Sequence, residues 1–185
     1  MLTIENLQKA YEKPVIQNLS LSFPEKGLFL IRGESGCGKT TLLRLIAGLE
    51  KADGGSIRLE KSKKISFVFQ EARLVPHLTL MENLILVKEK SSTEEAMAIL
   101  EQVGLGADAK KFPHQLSGGM RLRGAIARSL YYGGDVFLWD EPTKEVDPEN
   151  REKIIALAKK LSEKALVIAV THDPFFTGGE EIFLA

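Results

Sequence analysis

The sequence predicts an α/β fold whose apolar strands end in chemically useful residues, with a block of helices inserted between the two halves of the sheet. Three observations predict it. The runs "GLFLIRG", "DVFLWDEP" and "ALVIAVTHD" are continuously apolar, as buried parallel strands are, and each ends in glycine or polar groups. The first third of the chain is rich in the period-2 alternation of half-buried strands, and the stretch 74–130 is helical in pattern. Its 185 residues fit one domain with a small subdomain, and 44% hydrophobic content suffices for a packed core.

"LTIENLQ" and "IQNLSLSF" alternate as strands, and "GLFLIRG" follows as a short apolar strand. "TTLLRLIAGL" reads as a helix from Thr40, closed by Gly48, after which "SIRLE" and "KISFVFQ" return to strand. "LMENLILV" and "STEEAMAILEQVGL" are helical, the second opened by Ser92 and Glu95 at capping-box spacing, and 118–130 is a third helix. "DVFLWDEP", a helix over 148–162, "ALVIAVTHD" and the strand-like "EEIFLA" complete the chain. No internal repeat or linker interrupts it. The organisation is one domain over 1–185, with 1–73 and 131–185 as the α/β core and 74–130 as a helical lobe.

Composition excludes some partners. The 25 Lys and Arg balance 25 Asp and Glu, which gives no overall electrostatic case for nucleic acid or an anionic membrane. A single cysteine, Cys37, leaves no internal disulfide framework and fits a reducing compartment. "MLTIENLQKAYEK" lacks the apolar core of a signal peptide, and no apolar run approaches the ~20 residues of a membrane span. The expected location is cytoplasmic.

"GESGCGKT", 33–40, fits G-x-x-x-x-G-K-[ST] and lies between an apolar strand and a helix, the context that gives this phosphate-binding pattern its meaning. The backbone N–H groups of Gly33, Glu34, Ser35, Gly36, Cys37, Gly38, Lys39, Thr40 and Thr41 would wrap the phosphates of ATP at a helix N-terminus. Lys39 can reach the β and γ oxygens, and the Thr40 hydroxyl can ligate Mg²⁺. At the end of "VFLWDE", Asp140 can hold Mg²⁺ through water and Glu141 can act as general base on an attacking water.

Other residues leave two readings open. His172 can sense the γ-phosphate or be a structural histidine. Gln70 can reach Mg²⁺ or the attacking water, or be a surface residue. Tyr11 can stack on an adenine ring or pack on the sheet. Cys37 can be a redox handle or a small side chain tolerated beside the phosphates. "QLSGGMRLRGAIARSL" adds a second phosphate-like cradle, and one nucleotide hardly needs two.

The order of the P-loop, Gln70, "LSGGM", "DEPTKEVD" and "VTHD" resembles that in the ATP-binding subunits of ABC transporters over nearly the whole chain. The resemblance implies a P-loop NTPase of ABC type, with a mainly parallel sheet core, an N-terminal antiparallel β subdomain and the helical lobe. It implies that Gln70 is the Q-loop residue, 116–120 the signature motif, Asp147 the D-loop aspartate, His172 the switch histidine and Tyr11 the adenine-stacking aromatic. It also implies that two chains, identical or homologous, pair head to tail. Ser117, Gly118, Gly119 and Met120 of one would then complete the γ-phosphate site on the other's P-loop. Free N–H groups and the positive end of the helix dipole at that glycine pair suit an anion.

The implied partners are transmembrane permease subunits, with a substrate-binding protein if the system is an importer, and the implied location is the inner face of the cell membrane. "FQEARLVPHLTLMENLIL" with "LSGGM" is most similar to the ATPases of nitrate-, sulfonate- or taurine-type importers. Three departures stand out. Met120 replaces the usual Gln, Lys144 and Glu145 replace small residues and put charge near the expected dimer seam, and the end at Ala185 implies no regulatory C-terminal domain. The alternative functions are a soluble ABC-type ATPase not coupled to transport and a P-loop protein without appreciable hydrolysis. The first typically carries coiled-coil insertions, zinc modules or a second ATPase domain, and the Glu141–His172 pair argues against the second.

Overall fold

The computed structural model describes residues 1–184 and contains two sheets. Strands β1 (Leu2–Ala10), β2 (Pro14–Phe23) and β4 (Gly54–Arg58) form an antiparallel sheet in the order β2-β1-β4. Strands β3 (Gly27–Gly33), β5 (Ile65–Val68), β6 (Val136–Asp140), β7 (Leu166–Val170) and β8 (Glu180–Leu184) form a parallel sheet in the order β5-β6-β7-β3-β8. Ala185, the last residue of the strand-like "EEIFLA", lies outside the described residues.

The apolar strands are buried on both faces, so alternate residues serve two cores. Leu30, Phe137, Trp139, Val167 and Ala169 face α2 (Leu80–Ile85), α3 (Thr93–Gln102), α4 (Gly118–Tyr132) and α5 (Pro148–Ser162). Ile31, Val136, Leu138, Ile168 and Val170 face α1 (Lys39–Ile46) and the antiparallel sheet, from which Leu2, Ile4 and Phe23 come. Burial of this kind contributes ~25 cal/mol per Å² of apolar surface, which is why continuous apolar runs mark the central strands.

Two strands depart from strict alternation. Asn6 and Asn18 take left-handed φ values of 49° and 51°, and the β1–β2 register shifts between Ile4 and Leu7 and again between Leu7 and Lys9. The extra residue turns Asn6 outward, where its N–H reaches Ser20 Oγ at 3.0 Å, and brings Leu7 into the core. Asparagine tolerates that backbone better than other non-glycine residues.

The helical ends show one correction. Ser92 accepts from the Glu95 N–H at 3.1 Å, but the reciprocal half of the expected capping box is missing. The Ser92 N–H donates instead to the buried Tyr131 hydroxyl at 2.7 Å, and Glu95 pairs with Lys88 at 2.8 Å. The complete box lies at Thr79 and Glu82, which opens α2. Among the described residues, no helix is long and apolar enough to cross a membrane.

Candidate functional site

Four neighbouring strands, β5-β6-β7-β3, carry the polar groups at their carboxyl ends, where open parallel sheets bind ligands. β3 leads into the 33–40 loop and α1, β5 into Gln70, β6 into Asp140 and Glu141, and β7 into His172. Their common cleft has a volume of about 600 Å³ and is lined by Ser35, Gly36, Gly38, Lys39, Thr40 and Thr41 from the loop and α1. Gln70, Asp140, Glu141 and His172 line it from the other strand ends, together with Tyr11.

The loop is shaped around its lysine. Lys39 is 6% exposed, and its ammonium donates to Gly33 O at 2.9 Å and Glu34 O at 2.6 Å, with Cys37 Sγ at 3.8 Å. Gly33, Glu34 and Cys37 therefore hold Lys39 rather than line the cleft wall. Gly38 caps α1 at φ 98°, and a Cβ there would meet Val15 Cγ1 at 2.9 Å, so any larger residue would both strain the backbone and strike β2.

At the end of β6 the Thr40 hydroxyl donates to Asp140 Oδ1 at 3.2 Å. Burial holds the Asp140 carboxyl above its usual range, against the pull of that hydrogen bond and of Arg44, Lys39 and Lys144. Burial raises Glu141 too, opposed by the His172 N–H and imidazole and reinforced by Asp140. Glu141 sits at a left-handed φ of 53°, strain of about 1–3 kcal/mol for a residue with a Cβ, held by its N–H bond to Val170 O at 2.9 Å. Its carboxylate receives the His172 N–H at 3.3 Å and lies 3.5 Å from Nε2.

Tyr11 is 57% exposed, so it is not packed on the sheet, and its hydroxyl donates to Glu50. Asp147 lies outside the cleft, capping α5 by accepting from the Asn150 N–H at 3.1 Å, and the Asn150 amide groups hold its carboxyl low. Thr40, Asp140 and Gln70 offer hydroxyl, carboxylate and amide oxygens, the hard donors Mg²⁺ prefers. With only one or two carboxylates, such a site relies on phosphate oxygens for the rest. No cluster of three or more His, Cys, Asp or Glu that could hold a metal ion exists among the described residues.

The second cradle stands apart. Ser117 caps α4, accepting from the Met120 N–H at 3.2 Å, while Met120 packs on the helical core. A separate hollow of about 340 Å³ is lined by Gly118, Arg121, Leu122, Glu145, Gln70 and Lys144. A Cβ on Gly119 would lie 2.5 Å from Glu145 O, and one on Gly118 would collide with the Glu145 carboxylate. Glycine at 119 is thus required by close approach of the backbone of the 143–146 turn, whereas at 118 it leaves room for the Glu145 side chain.

Lys144 and Glu145 are the two charges expected near the dimer seam. Here Glu145 covers the chain's own glycine pair, and Lys144 lines both hollows. Val15 and Val170, also in the cleft wall, were missed because an apolar strand residue carries no local mark of facing a ligand.

A family model described as "ABC transporter" matches residues 16–144. The chain is 37% identical to an aliphatic sulfonates import ATP-binding protein of Paracoccus denitrificans, over 93% of this chain and 73% of that protein. It is 35% identical to an arginine transport ATP-binding protein of Bacillus subtilis, over 95% of this chain and 82% of that protein. An ATP-binding cassette solved as a dimer in a post-hydrolysis state bound to ADP and Pi superimposes with a TM-score of 0.89 at 31% identity. That match covers 100% of this chain and 94% of that one. With the P-loop, the β6 carboxylates and the glycine pair in these positions, the chain belongs to the ABC transporter family, as an ATP-binding and ATP-hydrolysing subunit.

Proposed function

We propose that the cleft binds Mg²⁺-ATP and that two copies, or this chain and a homologous subunit, close head to tail around it to drive permease subunits at the inner face of the cell membrane. The observation that carries this is the convergence of Lys39 and Thr40 with Asp140, Glu141 and His172 in one cleft. Tyr11 stacks on the adenine ring, the 33–41 loop wraps the phosphates, and Lys39 neutralises the β and γ oxygens. Thr40, Asp140 and Gln70 hold Mg²⁺, which when bound offsets phosphate charge. Glu141 takes the proton of the attacking water, and His172 orients Glu141 and the γ-phosphate.

Ser117, Gly118, Gly119 and Met120 present the α4 N-terminus to the partner's nucleotide, with Asp147 beside them at the seam. The 74–130 lobe carries that motif, and 1–73 with 131–185 carry the P-loop. The relatives' names differ in solute, sulfonate in one and arginine in the other, which supports a motor indifferent to solute. We place solute choice in the permease and, for an importer, a substrate-binding protein.

Two expected results test this reading. Since burial raises the Glu141 carboxyl, the base form disappears as pH falls through a value above the ordinary glutamate range. The acid limb of the kcat/KM profile for ATP therefore lies above that range, and a limb at ordinary carboxylate pH would contradict the role. The Glu145 carboxylate covers the α4 N-terminus, where a partner's γ-phosphate would come, so the parent should pair weakly with ATP. In sedimentation with ATP, Glu145→Ala should dimerise at lower protein concentration than the parent. A parent dimer that is tight without nucleotide, or an unchanged midpoint, counts against it.

A further inference from the structure

We infer that Lys144 is a specificity-determining residue of the nucleotide cleft, a second cation that engages the terminal phosphate from the chain's own side and makes a single chain favour ATP over ADP. The inference rests on the reading of the cleft as the ATP site.

The turn after β6 fixes the Lys144 backbone and leaves its side chain free. Thr143 and Val146 on either side are buried, and the Lys144 N–H donates to Glu141 O at 3.1 Å. The side chain is exposed and lines the cleft beside Gln70, Asp140, Glu141 and His172, the residues at the ends of β5, β6 and β7. Among the described residues, no carboxylate lies within ion-pair distance of its ammonium.

The charge balance at that end calls for such a group. Asp140 and Glu141 bring two carboxylates, while the Lys39 ammonium already donates to Gly33 O and Glu34 O. A terminal phosphate entering there meets the Glu141 carboxylate, which Mg²⁺ held by Thr40, Asp140 and Gln70 would not engage. A flexible, unpaired ammonium on the same wall adds a charge-assisted hydrogen bond to that phosphate. ADP lacks the group, so the contact discriminates.

The test is an equilibrium titration with Mg²⁺-ATP and with Mg²⁺-ADP at low protein concentration, on a Glu141→Gln background that suppresses turnover. Lys144→Ser is expected to weaken ATP about 5–10-fold, the size of one partly exposed charge-assisted bond, and to leave ADP within about twofold. Lys144→Arg is expected to keep the ATP preference. Equal weakening of both nucleotides, or of neither, overturns the inference. A background protein that binds neither nucleotide overturns the cleft reading beneath it.

Discussion

Glu141→Gln is expected to bind Mg²⁺-ATP as the parent does while hydrolysing it about 10²–10⁴-fold more slowly, the usual worth of a positioned general base. The amide keeps the shape of the carboxylate and can still meet the His172 N–H, which reaches the parent's Oε2 at 3.3 Å, but it cannot take a proton from water. If two chains close around ATP, the stalled protein accumulates as a dimer. Adding Ser117→Arg should abolish that dimer without loss of nucleotide, because a long side chain at the α4 cap fills the space meant for the partner's phosphate, while the chain's own P-loop is untouched. Gel filtration with ATP, beside a nucleotide titration, reads both effects. A double variant that dimerises as well as Glu141→Gln alone would show that the second cradle does not work across chains.

Lys39→Ala should lose both nucleotide binding and turnover. Hydrogen bonds to charged groups contribute about 1.5–3 kcal/mol each, so the loss of two phosphate contacts lowers ATP affinity about 10²–10⁴-fold. The substitution also strips Gly33 O and Glu34 O of their donor, which loosens the loop that α1 springs from. Circular dichroism with thermal unfolding separates that loosening from a global failure to fold. A folded Lys39→Ala protein with near-parental ATP turnover would sink the P-loop assignment.

How much was legible depended on how local the signal was. The buried strands β3, β6 and β7 were legible because every residue of an apolar run is satisfied by burial on both faces. The Asn6 and Asn18 bulges were not, since a pure alternation puts Asn6 where Leu7 belongs and only pairing with β2 reveals the extra residue. Ser92 shows the same limit. Its spacing to Glu95 is that of a reciprocal cap, but Tyr131, distant in sequence, takes the N–H that the box needs. Tyr11 had two equal readings, and its exposure argues only against the one that packs it on the sheet.

The sequence by itself determined the α/β class, the 33–40 loop, the paired acids after β6 and the family. Each is written in consecutive residues whose backbone geometry follows from nearby glycines, apolar runs and helix starts. Only the tertiary structure decided which polar strand ends share one cleft, because that depends on the β5-β6-β7-β3 order, set by packing across both faces of the sheet. It also decided the parts played by Lys144 and Glu145. In sequence they are two charges in a turn. Buried Thr143 and Val146 anchor that turn, and the left-handed backbone of Glu145 at φ 59° sends its carboxylate over Gly118, while Lys144 lines the cleft with Asp140. Adjacent side chains are thereby aimed at different hollows, a divergence set by backbone direction and by contacts with α4.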